Sequence, residues 1–122
     1  MKKLLKIVLV YSLALFFTSC YYNELPEEAD IVIPPETEVS FDDDIVPIFI
    51  SYNCSQCHKS GGQSPDLSAG NEYNSLVPAY VNAGSSSTSK LYTVLAIDRH
   101  RNVDKESIAL IKKWIDDGAE AN

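Results

Sequence analysis

Methionine occurs once in the 122 residues, as Met1, and histidine only twice, as His58 and His100. Past the first residue the chain holds no thioether, and any site that needs three imidazoles is excluded. Lysine and arginine total 10 against 17 acids, for a net charge of −7. Phosphate contacts need basic side chains, so a nucleic-acid partner is not expected. No Ser-His-Asp set, phosphate-cradling glycine loop or carboxylate pair in a cleft stands out. Strand alternation and hairpin turns are missing as well, and no segment repeats. The length suits one domain rather than two.

What is present begins with a leader. Lys2, Lys3 and Lys6 precede a run from Leu4 to Phe17 that is apolar except for Lys6 and Ser12. That run is short for a spanning helix. A basic start, a short apolar core and small residues at a cut site describe a secretory signal peptide over 1–19. The stretch Leu15-Phe16-Phe17-Thr18-Ser19-Cys20 resembles a bacterial lipobox, loosely at its first positions. The resemblance implies cleavage before Cys20 and a lipid on its thiol. Ordinary secretion and an uncleaved anchor helix are the alternatives. The resemblance implies a domain in the cell envelope, tied to a bacterial membrane, in the periplasm or at the cell surface. Cleavage would remove three lysines and no acid, taking the net charge from −7 to −10.

Residues 20–40 read as an acidic, proline-containing tether. Glu24, Glu27, Glu28, Asp30, Glu36 and Glu38 repel one another, and Pro26, Pro34 and Pro35 stiffen the chain, so an extended form is expected. The folded domain then spans 41–122. Phe41, Ile45, Ile48, Phe49 and Tyr52 recur at helical spacing. Ser40 is placed as the N-cap and Asp42, Asp43 and Asp44 at the positive helix end. Pro47 should kink or restart this helix. Short helices are expected over 71–77, with Tyr73, Leu76 and Val77 inward, and over 89–97. Asp104 caps the clearest helix, whose stripe is Ile108, Ile111, Trp114 and Ile115, and Gly118 ends it. The segments 61–65 and 84–89 read as loops. About eighty residues of short helices make a small core, and such a core calls for an internal staple.

Cys54-Ser55-Gln56-Cys57-His58 supplies one. Cys-x-x-Cys-His is the attachment signature for c-type haem. On a helical turn, residues three and four apart share a face. Two sulfurs can then reach the two vinyl groups of one porphyrin while the imidazole comes up beneath the iron. Three other uses are open. A thioredoxin-like pair would need a βαβ context that is absent here. An exported pair can close a disulfide. Cys54, Cys57, His58 and His100 together could hold zinc.

The residues Asp44-Ile45-Val46-Pro47-Ile48-Phe49, Asn53-Cys54-x-x-Cys57-His58, Pro65-Asp66-Leu67-Ser68 and Trp114-Ile115-Asp116-Asp117-Gly118-Ala119 resemble a small class I cytochrome c domain. The resemblance covers nearly all of the folded part. It implies an all-α, cytochrome c-like bundle of short helices around one covalently bound haem c. It also implies that the first and last helices cross beside the haem, where Phe49 and Trp114 are placed. The Pro65 carbonyl would accept a hydrogen bond from His58 Nδ1, orienting the imidazole, and Leu67 would pack on the porphyrin. Phe49, Leu67 and Trp114 serve equally well as ordinary core.

One departure from the family changes the chemistry. Its usual sixth iron ligand is a methionine before the last helix, and this chain has none there. His100 stands in that stretch and is the candidate distal ligand; the alternatives are an open position, water or Lys105. Flanking Arg99 and Arg101 either pair with haem propionates or are solvated loop charges. The resulting expectation is an electron carrier that works with a redox protein partner, not an enzyme. The acidic surface either steers a basic partner or serves solubility. A small peroxidase-like haem enzyme with an open distal site is the alternative, and a zinc-binding module is a third reading.

Overall fold

The computed structural model describes Met1, Lys3, Leu4 and residues 31–122. The rest of the leader, the lipidation site Cys20 and the first part of the tether lie outside the described residues. Among the described residues the protein is helical, with no strand, and no helix is long and apolar enough to cross a membrane.

The domain opens on a π-helical turn, Phe41–Ile45, that runs directly into helix α1, Val46–Ser51. Ser40 caps it: its Oγ accepts the Asp43 N–H at 3.3 Å, and three aspartates occupy the first turn, where the helix dipole favours anions. Pro47 explains the change of winding. In a continuous α-helix its ring would press on the carbonyl four residues back. Here the preceding turn is wider, with the Val46 N–H donating to the Phe41 carbonyl, and Pro47 falls in the first turn of α1, where no N–H is needed.

Three further helices follow: α2, Glu72–Leu76; α3, Lys90–Ala96; and α4, Lys105–Asp116. Single 3-10 turns sit at Cys54–Gln56, Ser86–Thr88 and His100–Asn102. Asp104 caps α4 by accepting the Ser107 N–H at 2.9 Å. Gly118, at φ +119°, closes it, a conformation that glycine adopts without strain.

The core forms where α4 lies across the π-helical turn. Ile45, Leu76, Ile111 and Ile115 are fully buried and Trp114 is 2% exposed. Removing each such side chain from water contributes roughly 1.5–3 kcal/mol. The Phe41 ring lies 5.0 Å from Trp114 and meets Tyr73 edge-on at 5.3 Å. The aromatic neighbours of Trp114 are therefore Phe41 and Tyr73, not the expected Phe49. The wide turn shifts the helical phase, so Phe41 and Ile45 face α4 while Phe49, two turns on, is left to line a cavity.

The chain end completes this junction. Asn122 accepts from Ser40 Oγ at 2.7 Å and from the Asp42 N–H at 3.0 Å through its backbone carbonyl. Trp114 Nε1 donates to the Glu120 carbonyl at 2.9 Å. Val39, at the end of the acidic tether, is buried, and Lys113 Nζ donates to the Pro35 carbonyl at 3.2 Å. The serine-rich loop is also built in. Ser89 is fully buried, its Oγ accepting the Asn82 N–H at 2.9 Å and donating to the Ser85 carbonyl at 2.8 Å. The Ser86 N–H donates to Asp116 Oδ1 at 2.8 Å. Short hydroxyls let a tight turn satisfy its own backbone, and the turn packs against the end of α4.

Candidate functional site

Helix α1 ends at Tyr52, and the chain reverses at Asn53, which has φ +52°. Asparagine is among the few side chains that tolerate this left-handed conformation. The turn that follows carries the motif. The Cys57 and His58 N–H groups both donate to the Cys54 carbonyl, at 3.3 and 3.0 Å. Cys54 and His58 thereby face one cavity, with Phe49 from α1 beside them.

The next loop folds back on the motif. The Gln63 N–H donates to the Cys57 carbonyl and the Leu67 N–H to the His58 carbonyl, each at 2.9 Å. Gly62 makes the return possible: a Cβ there would stand 2.5 Å from the Cys57 carbonyl oxygen. Pro65 and Leu67 thus reach the cavity wall. Leu76 of α2, Leu91 and Leu95 of α3, His100 and Val103 close the far side.

The cavity holds about 200 Å³ and opens to solvent, with Lys90 and Tyr80 also in its lining. Its lining is mostly apolar, with two imidazoles among the polar exceptions. The His58 and His100 ring centroids are 6.1 Å apart with their planes at 77°. Two nitrogen–metal bonds of about 2 Å each, plus the depth of two half-rings, need roughly this separation. His58 Nδ1 is buried and has no hydrogen-bond partner. A buried polar nitrogen left unpaired costs about 1–3 kcal/mol. Cys54, His58, His100 and the apolar walls are the groups that could hold a metalloporphyrin.

The bond expected between His58 Nδ1 and the Pro65 carbonyl is not formed. Backbone pairing from Gln63 and Leu67 fixes the loop's register and puts Pro65 in the wall without bringing its carbonyl to the imidazole. Cys57 also departs from expectation: it is exposed and is not among the lining residues, whereas Cys54 is 8% exposed and lines the cavity. The 3-10 turn stops at Gln56 with Cys57 as its cap, so the shared face that a continued helix would impose is lost.

Both motif cysteines are free thiols. Burial pushes the Cys54 thiol up, and the nearby Arg101 charge opposes that only in part. A thiol held protonated is a poor redox nucleophile, which counts against a thioredoxin-like role. The Arg101 guanidinium rests on the Asn53 carbonyl, Nη2 to oxygen 3.4 Å, and Arg99 is exposed. Among the described residues no three His, Cys, Asp or Glu side chains gather as a metal cluster.

Sequence reasoning missed one element beside the site. Tyr52 Oη donates to Asp104 Oδ2 at 2.6 Å and accepts the Asp104 N–H at 3.0 Å. Fifty-two residues separate them, and no local pattern announces such a pair. Hydrogen bonds from Tyr52 and then Ser107 favour the ionised carboxylate and hold Asp104 down to about 2. A group depressed on folding contributes stability that is fully present above its unfolded pKa of about 4 and is lost as pH falls through the folded value. Thermal melting followed from pH 5 to pH 2 should show this loss in the lower part of the range. Asp104→Asn, which keeps a good N-cap, should flatten the decline; equal slopes in the two proteins would remove Asp104 as its source.

No protein-family model matches the chain, and no curated protein or solved structure matches it.

Proposed function

We propose that the protein is a single-haem c-type cytochrome that transfers electrons in the cell envelope, with His58 and His100 as its axial pair. The observation that carries this reading is the cavity in which Cys54 of a Cys-x-x-Cys-His motif, His58 and His100 meet, the two rings 6.1 Å apart. Haem would supply a one-electron iron couple there. The thiols of Cys54 and Cys57 would add across two vinyl groups, each giving up its S–H to form a thioether. Leu67, Leu76 and Leu95 would keep water from the apolar faces. Two imidazoles in place of an imidazole and a thioether favour a lower potential, since methionine ligation raises it. An electron carrier binds no organic substrate; it needs a redox protein partner and an open haem edge. Lipid on Cys20 would hold the domain at a bacterial membrane, in the periplasm or at the cell surface.

His100 is exposed and sits on the left-handed stretch Arg99, Arg101 and Asn102. That observation favours a second reading, in which the sixth position opens and the protein acts as a small peroxidase-like enzyme. Optical spectra of the protein made with a c-type maturation system separate the two. A low-spin reduced spectrum unmoved by carbon monoxide is the expected result. High-spin haem or rapid carbon monoxide binding would transfer the case to the open site, and a colourless product would end both readings.

A further inference from the structure

We propose that Tyr52 is a positioning residue: its hydroxyl fixes the His100 loop against the motif turn and so sets the spacing of the two imidazoles. This rests on the reading of His58 and His100 as an axial pair. Two segments carry these histidines, one following α1 and one preceding α4, and 41 positions of sequence lie between them. Among the described residues five that are not glycine have positive φ, and four of them fall in these segments: Asn53, Arg99, Arg101 and Asn102. Such backbone is strained, least so at the two asparagines, and it persists only where the surroundings over-determine it.

The surroundings here are few. The described hydrogen bonds of the His100 turn are the Asn102 N–H to the Arg99 carbonyl at 3.0 Å, within the loop itself, and Arg101 to the Asn53 carbonyl at 3.4 Å. The turn's N-cap, Arg99, makes no side-chain capping bond. The short bonds that tie this region to the motif segment are the two made by the Tyr52 hydroxyl, at 2.6 and 3.0 Å. Tyr52 is the C-cap of α1, two residues before Cys54, and Asp104 is the N-cap of α4, four residues after His100. One hydroxyl thus joins the ends of two helices, each of which feeds a histidine into the cavity. Val103, between His100 and Asp104, is 8% exposed and lines the same cavity, so a shift at Asp104 reaches the wall directly.

The test compares three variants of the full-length, haem-loaded protein. Tyr52→Phe keeps the ring and removes both bonds. Asp104→Ser keeps an N-cap but is too short to reach Tyr52. Tyr73→Phe removes a comparable bond, Tyr73 Oη to the Ala119 carbonyl at 2.9 Å, away from the histidines. All three should melt earlier. Only the first two should show a high-spin fraction and bind carbon monoxide about tenfold faster than wild type, the factor one or two hydrogen bonds are worth. In the same full-length chain without haem, proton NMR should give a cross-peak between the two imidazoles that Tyr52→Phe weakens. Wild-type ligand binding and an unchanged cross-peak in Tyr52→Phe would overturn the inference. Equal gains in Tyr73→Phe would do so too, by reducing the effect to general loosening. If wild type carries no haem, the proposed function falls, and the cross-peak alone still decides the role of Tyr52.

Discussion

Serine at both Cys54 and Cys57 should leave a chain that carries no covalent haem. A hydroxyl cannot form the thioether, so intact-mass spectra of the double variant should show the polypeptide alone, where wild type shows it with one haem added. Each single variant should retain one bond and stay coloured in reduced yield. The structure separates chemistry from folding in this series. Cys57 is exposed, so Cys57→Ser removes almost no packing and its reduced haem yield cannot be blamed on the core. Cys54 is buried in the cavity wall. Serine there places a hydroxyl against aliphatic neighbours at a cost of about 1–3 kcal/mol, so Cys54→Ser should melt earlier as well. A disulfide would give another pattern: either single variant would lose the bond whole, and wild type would gain no mass beyond the chain. Haem retained by the double variant would remove the motif as the attachment point.

Helices were legible where a cap and a period coincided. Asp104, the stripe Ile108, Ile111, Trp114 and Ile115, and Gly118 mark α4 at both ends, and the observed helix runs Lys105–Asp116. The expected 71–77 and 89–97 segments appear as α2 and α3, each shorter by its two cap residues. The first helix was legible in extent and not in phase. Proline signals an interruption, but not whether the backbone answers with a kink or with a wider turn, and that choice decides whether Phe41 or Phe49 meets Trp114. The serine-rich stretch reads as a loop because its composition is polar. Its burial comes from hydrogen bonds to Asn82 and Asp116, the second contributed from thirty residues away.

The candidate site divides in the same way. Cys54 and His58 were legible because the motif is local and one helical turn realises it. Pro65 and Leu67 reach the cavity through a loop whose return depends on Gly62, which the pattern marks only as part of a loop. Tyr52 and Asp104 were out of reach, since each is an ordinary helix-end residue until the fold joins them. His100 is marked by its place before the last helix, where the resembled family carries its methionine, and its ring lies 6.1 Å from that of His58. What that placement does not supply is the contrast between the two. His58 is held by a backbone bond to Cys54 and by a loop that pairs with it, whereas His100 rides an exposed left-handed turn. The first is fixed by its own segment, and the second depends on its neighbours.

That contrast sets the result expected from His100→Ala. Removing an exposed side chain at a position that contributes little to the core should leave the melting temperature of the polypeptide within a few degrees of wild type. Its effect on the iron should be large: the sixth position opens, the reduced spectrum becomes high-spin, and carbon monoxide binds where wild type resists it. His58→Ala should differ in kind, because loss of the proximal imidazole leaves the haem tethered by its thioethers with no ligand from the motif. His100→Met extends the argument from ligation to potential. Restoring a thioether opposite His58 should raise the midpoint on the order of 100 mV, within the span of about 0.8 V that axial ligands cover. A potentiometric titration of wild type and His100→Met reads this directly. A midpoint that does not move, together with wild-type carbon monoxide binding in His100→Ala, would mean that His100 does not touch the iron, and would leave the distal face to water or Lys105.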